Sequence, residues 1–333
     1  MGGNENIYKV LILVGLIGLL TACSSSRLVY TFVNKFIEDE VAYFLDLNKE
    51  EEVVLSQQIS EMVAWHKTSM LPKYATYLTD IADMIEMEQY EASDISKILE
   101  NGSSLIKETV NGLTPYASKF LIRHQNVEAI EFMEKRMLTR RQERIIELSK
   151  PKDLLYENRL ERLTSNFKRF LGDLNNAQVI LLEAHSRSTL GESRIRLHNM
   201  TVRQKVFIRF LRTKPAEAEL TAYLNKLLLR GHLITNPTYQ IFSEVSLDRF
   251  HGLLVNILET SSKVQRNTII SNLRDYAEDF KDVSLGRNIS NKLKNEASKD
   301  SVQNTLIKKQ TGFNQFLFCL NKTWPFPFLS ATI

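Results

Sequence analysis

The fold class is decided by residues 114–150, which read TPYASKFLIRHQNVEAIEFMEKRMLTRRQERIIELSK. After Pro115 the stretch contains no glycine or proline, and its apolar residues recur at helical spacing instead of alternating as in a strand. Because proline suits the first turn of a helix, Thr114-Pro115 predicts the start of the longest helix, running toward Lys150. Pro151 predicts its end and the start of the next helix.

The same helical pattern extends over residues 34–285. Asn48 with Glu51 predicts a capping box at an early helix, and Ser262 with Gln265 could cap the final helix in the same way. Further boundaries are expected at Leu71-Pro72, Asn101-Gly102, Asn111-Gly112, Gly172, Gly191, Thr213-Lys214-Pro215, Asn236-Pro237 and Ser246. The expected fold is all-α, a single multi-helix domain of about eight to ten helices.

Composition supports a packed helical body and excludes several protein classes. Of the 333 residues, 43% are hydrophobic and 25% are charged, which allows a sizeable core and excludes wholesale disorder. The chain has 12 glycines and 7 prolines, too few for a β-sandwich with a turn every few residues. Two cysteines exclude a disulfide framework and a cysteine-based zinc module.

The amino terminus carries a targeting segment. Lys9 precedes the apolar run Val10–Leu20, which is too short for a stable membrane span and is typical of a signal peptide. The run ends in Leu20-Thr21-Ala22-Cys23, which resembles the lipobox of bacterial lipoproteins. An ordinary signal peptide, or an anchor, with an incidental cysteine is the alternative.

The lipobox resemblance implies cleavage of a lipoprotein signal peptide at residues 1–22. It also implies a diacylglycerol on the sulfur of Cys23 and acylation of its new amino group, with palmitate among the expected chains. Ser24 follows in place of the Asp typical of inner-membrane retention, so we expect attachment to the periplasmic face of the outer membrane. Such a protein does not normally meet nucleic acid.

The predicted layout has three parts beyond the signal peptide. Residues 23–33 are expected to be a short tether, and residues 34–285 the helical domain. Residues 286–333 form a polar and then aromatic tail without helical periodicity, in which Cys319 is expected to be unpaired. This tail is interpreted as a poorly packed terminal extension, with a partner-binding arm as the alternative.

Charge is distributed unevenly along the chain. Residues 35–100 hold 15 acidic and 5 basic residues, whereas residues 135–214 hold 19 basic and 8 acidic ones. The two segments could pack against each other or form solvated faces. Alternatively, the basic segment could bind an anionic envelope partner, such as lipid, lipopolysaccharide or peptidoglycan. The possible contacts are Arg203, Lys205, Arg209 and Arg212.

Motifs for catalysis or for metal and cofactor binding are not found. The six histidines form no metal-binding pair of known spacing, and no nucleophile elbow, P-loop or dinucleotide fingerprint occurs. His124 with Glu128 has no matching second motif. We therefore predict no catalytic residue, no metal ligand and no cofactor. The most distinctive group of aromatic and polar residues is Trp65, His66, Pro72 and Tyr74. It could be a recognition site or a packed elbow at a helix end.

Several short motifs together resemble a family of uncharacterised proteobacterial lipoproteins, known as a domain of unknown function. They are the lipobox, Tyr30, Asp46-Leu47, Trp65-His66 with Leu71-Pro72 and Tyr74, Phe170-Leu171-Gly172-Asp173-Leu174 with Gln178, and Gln265-Arg266 with Leu273, Tyr276 and Asp279. The resemblance spans roughly residues 23–283 and implies an envelope location and a helical fold, but no activity.

Two functions are consistent with these patterns. The first is a non-enzymatic, lipid-anchored protein that binds or scaffolds another envelope component. The alternative is a lipid- or cell-wall-modifying, hydrolytic envelope enzyme, with His66 as the first residue to test. A polar cleft that contains His66 and a carboxylate would favour the enzyme.

Overall fold

A computed structural model describes residues 25–88 and 92–287, and within these residues the chain is helical without strands. The all-α, single-domain fold predicted from the sequence is confirmed. The helices are α1 (Ser25–Phe44), α2 (Lys49–Trp65), α3 (Leu71–Glu86), α4 (Ala92–Leu121), α5 (Val127–Leu148), α6 (Lys152–Leu171), α7 (Asn176–Ser188), α8 (Glu192–Leu211), α9 (Glu217–Arg230), α10 (Thr238–Glu259) and α11 (Lys263–Ser284).

A π-helical segment, His66–Met70, joins α2 to α3 without a break. The two helices therefore form one rod, and the described residues contain ten separate helical rods. The boundary predicted at Leu71-Pro72 agrees with the structure, because α3 begins at Leu71 and Pro72 lies in its first turn. Wide π-helical turns occur inside α-helices, where they shift the register of the side chains that follow.

The rod of α2 and α3 connects two apolar clusters. The first is built by α1, α2, α4, α5, α8 and α9 around residues such as Leu55, Ile59 and Leu211. The second is built by α3, α6, α7, α10 and α11 around residues such as Ile85 and Leu182. At the joint between α2 and α3, the side chains of Met70 and Leu71 are fully buried.

The boundaries predicted around α4 are wrong. This helix runs through both Asn-Gly pairs and through Pro115. Both glycines provide space: a Cβ at Gly112 would overlap the Trp65 indole, and one at Gly102 would lie 2.6 Å from the Tyr77 hydroxyl oxygen. Pro115 cannot donate to the Asn111 carbonyl oxygen, and the Thr114 hydroxyl lies 3.4 Å from that oxygen.

The helix expected to run toward Lys150 is interrupted. A 3₁₀ turn, Ile122–His124, ends α4, and α5 begins after Asn126. The side chain of Asn126 accepts a hydrogen bond from the Ala129 backbone N–H at 2.7 Å, which caps the new helix. A short polar cap therefore divides a stretch that has no glycine or proline after Pro115.

Other boundaries agree with the predictions. Both predicted capping boxes are present, at Asn48 with Glu51 and at Ser262 with Gln265. Gly172 ends α6 with a φ of 78°, a conformation that favours glycine. Pro151 precedes α6, and Gly191 separates α7 from α8. The predicted start at Ser246 is wrong, because this residue lies inside α10.

Within the predicted tether at residues 23–33, the chain is helical from Ser25 onward, because α1 begins there. Val33 already packs against the first apolar cluster, so the folded body starts earlier than the expected residue 34. The predicted signal peptide, Cys23 and nearly all of the tail lie outside the described residues, which end at residue 287. No helix of the described part is long and apolar enough to span a membrane.

Candidate functional site

The sequence cluster of Trp65, His66, Pro72 and Tyr74 gains a partner from α1. The Tyr30 hydroxyl lies 2.9 Å from Nδ1 of His66, and the two rings are stacked with centroids 6.1 Å apart. The Tyr74 ring lies 5.6 Å from the His66 ring, and the Trp65 ring lies 6.4 Å from it. The π-helical turn places His66 where α1, the rod and α4 meet.

Burial sets the protonation states in this aromatic cluster. It lowers the pKa of His66 to about 4, and it raises the pKa of Tyr30, with Tyr74 adding to the increase. Burial also raises the pKa of Tyr74. All three groups are therefore uncharged at neutral pH. The tautomer of the neutral His66 decides the direction of this bond: Tyr30 donates when Nε2 carries the ring proton, and Nδ1 donates when it carries the proton itself.

The surroundings of His66 resemble a packed elbow more than a hydrolytic centre. Its protonation is shifted by burial alone, and none of its described contacts is a carboxylate. The Tyr74 hydroxyl bonds the Thr109 hydroxyl of α4, and Trp65 fills the space beside Gly112. A general base needs a pKa near the working pH and access to its substrate. The cluster holds α1 and α4 against the rod.

The four basic residues proposed as partner contacts do not share one surface. Lys205, Arg209 and Arg212 are exposed on α8, and Arg212 donates to Glu134 at 2.6 Å. Arg203 packs against the backbone at Gly231, where a Cβ would overlap its guanidinium. Residues two apart point to opposite sides of a helix, so Arg203 cannot face outward with Lys205.

An ion pair joins the acidic and basic segments between α1 and α5. Arg140 of α5 forms an ion pair with Glu40 of α1, and its guanidinium lies 4.3 Å from the centre of the Tyr43 ring. The acidic end of α3 instead pairs with α11, where Arg274 contacts Asp83 and Glu86. The interpretation that the two segments pack against each other holds for α1 and α5.

A buried polar network at the start of α8 was not predicted. Glu192 is buried and accepts hydrogen bonds from Arg196 and Ser246, both at 2.8 Å, and from Arg249. Arg194 donates to the Leu148 carbonyl oxygen at 3.0 Å. Three of the five lysine and arginine residues in α8 therefore make contacts within the helical body, namely Arg194, Arg196 and Arg203. The network around Glu192 joins α8 to Ser246 and Arg249 of α10, so local spacing in the sequence does not indicate it.

A polar cleft lies beside this network. Arg144, Lys150, Arg159 and Arg162 line it together with Glu147, Asn158 and Ser193. It is formed by the end of α5, the first half of α6 and the start of α8. None of these residues was among the sequence candidates. The pair Arg159 and Arg162, three residues apart on one helix face, is the signal that could have suggested the cleft.

No group of three or more metal-ligating side chains is present in residues 25–88 and 92–287. The sequence candidate His124 is buried, with Nδ1 3.1 Å from the Phe120 carbonyl oxygen. Its Nε2 lies 3.5 Å from Glu51, at the start of α2. The described contacts of His124 therefore lie within the helical body.

Comparison with known proteins places the chain in an uncharacterised family. No curated protein and no solved structure matches it. One family model covers the chain from the end of α1 to the start of α10, which includes the aromatic cluster apart from Tyr30 and the whole basic cleft. The match extends over more than half of the 333 residues. The chain thus belongs to the family of unknown function DUF6279, whose model matches residues 43–239.

Proposed function

We propose that this protein is a lipid-anchored envelope protein on the periplasmic face of the outer membrane, where it binds or scaffolds another envelope component. The observation that carries the proposal is the distance between the lipobox and the folded body. Helix α1 begins at Ser25, two residues after Cys23, and Tyr30 already contacts the body. A lipid on Cys23 would therefore hold the helical body directly at the membrane surface.

The helical body favours binding over hydrolysis. His66, the residue named for the enzymatic alternative, makes aromatic and phenolic contacts without a described carboxylate partner. By contrast, cations are available to a partner, because Lys205 and Arg209 are exposed and a basic cleft opens beside α8. Anionic lipid surfaces attract such residues by about 1 kcal/mol each. A binding role toward anionic envelope components is thus the better supported of the two.

The anchor is tested by changing Cys23→Ser in the full chain. Lipidation needs the thiol sulfur, so the variant should remain an unprocessed precursor, whereas the wild-type protein should carry the mass of a diacylglycerol and an acyl chain. Intact-mass measurement of detergent-extracted protein distinguishes the unprocessed precursor from the lipid-modified protein. Cys319→Ser is the matched control, since the chain has only these two cysteines, and it should leave the lipid mass unchanged. A wild-type protein with an unmodified Cys23 would contradict the proposal.

A further inference from the structure

The basic cleft between α5, α6 and α8 has the features of a built site. It has a cavity volume of about 40 Å³ and opens to solvent on one side, and its lining comes from three helices. Arg194 fixes its geometry by donating to the Leu148 carbonyl oxygen at 3.0 Å, which joins the start of α8 to the end of α5. The cleft is thus held by contacts that do not depend on a ligand.

One arginine of the cleft is oriented in advance. Nε of Arg159 donates to the Thr189 hydroxyl at 2.9 Å, and that buried hydroxyl itself donates to the His185 carbonyl oxygen at 2.6 Å. Because Nε is held, the plane of the guanidinium is fixed while the side chain still lines the cleft. A fixed guanidinium loses little conformational entropy when it binds a two-oxygen acceptor.

The lining carries more positive than negative charge. Arg144 pairs with Glu147, the one acidic residue of the lining, while Lys150, Arg159 and Arg162 add three further cations. Burial lowers the pKa of Arg159, Glu192 opposes this effect, and the neighbouring Arg196 and Arg162 lower it further. Glu192 already accepts hydrogen bonds from two other arginines. An anion in the cleft would relieve the repulsion between Arg159 and the neighbouring Arg162 and Arg196.

We propose that the cleft binds a phosphate group through Arg159 and Arg162, with Lys150 at its rim. Guanidinium groups match the paired oxygens of phosphate, and Asn158 and Ser193 add neutral hydrogen-bonding groups to the lining. The phosphate could belong to a lipid headgroup or to a soluble phosphate compound. The inference deepens the binding role proposed above, and it does not depend on the lipid at Cys23.

The test measures thermal unfolding of the full chain in neutral detergent, with inorganic pyrophosphate or with sodium chloride at equal ionic strength. A ligand that binds the folded state raises Tm, and we expect a rise of about 3 °C with pyrophosphate at millimolar concentration. Arg162→Gln should lower pyrophosphate affinity about tenfold, as should Arg159→Lys, which keeps the charge but loses the planar fork. Lys119→Gln, an exposed change on α4 outside the cleft lining, should leave the rise intact.

A second titration distinguishes the source of the phosphate. Glycerophosphoglycerol, the water-soluble headgroup of phosphatidylglycerol, should compete with pyrophosphate if the cleft recognises a lipid headgroup. Pyrophosphate binding without this competition assigns the cleft to a soluble phosphate compound, and both outcomes support a phosphate site. The inference is overturned if neither compound raises Tm, if Arg162→Gln and Arg159→Lys both respond as the wild type does, or if Lys119→Gln also loses the rise. A wild-type chain that carries its lipid mass but fails this test overturns the cleft alone and leaves the anchor intact.

Discussion

At the scale of single residues, Gly112 shows how a helix breaker can lie inside a helix. Asn-Gly pairs favour turns, yet α4 continues through this one because the Trp65 indole occupies the place of a side chain at Gly112. The absence of a Cβ lets two helices approach closely around a large aromatic ring. The same ring lies beside His66, so this close approach also supports the aromatic cluster.

Gly112→Ala should destabilise the protein even though alanine is the better helix former. The gain in helix propensity is about 1 kcal/mol, whereas an overpacked core residue costs about 1–3 kcal/mol, and here the new Cβ would overlap the indole. We expect a net loss in the free energy of unfolding, measured by urea denaturation.

Gly252→Ala is the matched control for this prediction. Gly252 lies inside α10 with nothing within 4 Å of a Cβ, so alanine there should stabilise the protein by up to about 1 kcal/mol. Equal effects of the two substitutions would show that Trp65 does not determine the need for glycine at position 112. Trp65→Phe should relieve part of the cost of Gly112→Ala in a double-mutant cycle.

At the scale of helices, a pair of glutamines joins the beginnings of α7 and α11. Gln178 and Gln265 each close a capping box with the residue three positions earlier. Their buried amides also bond each other, with N–O distances of 3.2 and 2.9 Å, and Gln265 donates to the Asp173 carbonyl oxygen at 2.7 Å. Two motifs from distant parts of the sequence are thus one structural unit.

Gln178→Ala should cost more than the loss of an ordinary helix cap. It removes the α7 capping box and leaves the buried amide of Gln265 without one partner, a combination worth about 2–4 kcal/mol. Chemical denaturation should show this loss without a change in helical content.

The comparison variant is Glu219→Ala at the start of α9. Glu219 occupies the same helix position as Gln178 and accepts from the Ala216 backbone N–H at 2.9 Å, but it is exposed. Its removal should cost less than about 1 kcal/mol. If both variants lose the same stability, the amide pair between the helices contributes nothing beyond capping.

At the scale of the whole molecule, the domain extends beyond the region matched by the family model. The match ends at residue 239, but α11 packs along α3 and supplies Ile269, Ile270 and Leu273 to the second apolar cluster. Arg274 adds ion pairs to Asp83 and Glu86 of α3. The carboxy-terminal helices are therefore part of the same folded body as the rod.

A chain ending at residue 285 should fold cooperatively, whereas one ending at residue 239 should not. The shorter chain loses most of α10 and all of α11, which exposes the apolar face of α3 and α7. Circular dichroism during urea unfolding should give a single transition for the first chain and a broad, non-cooperative loss of signal for the second. A sharp transition for the shorter chain would show that the two apolar clusters fold independently.

The sequence by itself determined the features that depend on neighbouring residues. Helical periodicity indicates the all-α class, and the boundaries at Asn48, Pro151, Gly172 and Ser262 follow from caps and backbone restrictions within a few residues. The resemblance of residues 20–23 to a lipobox is likewise a local pattern, and it remains the sequence basis of the proposed anchor.

Only the tertiary structure decided which residues approach each other from distant positions. It placed Tyr30 on His66, Trp65 beside Gly112 and Gln178 on Gln265, and it turned Arg203 inward while Lys205 faces solvent. It also gathered the basic cleft from three helices. Periodicity and caps describe one helix at a time, whereas the contacts of a buried side chain depend on how helices pack. For this reason the fold class was predictable, and the candidate phosphate site was not.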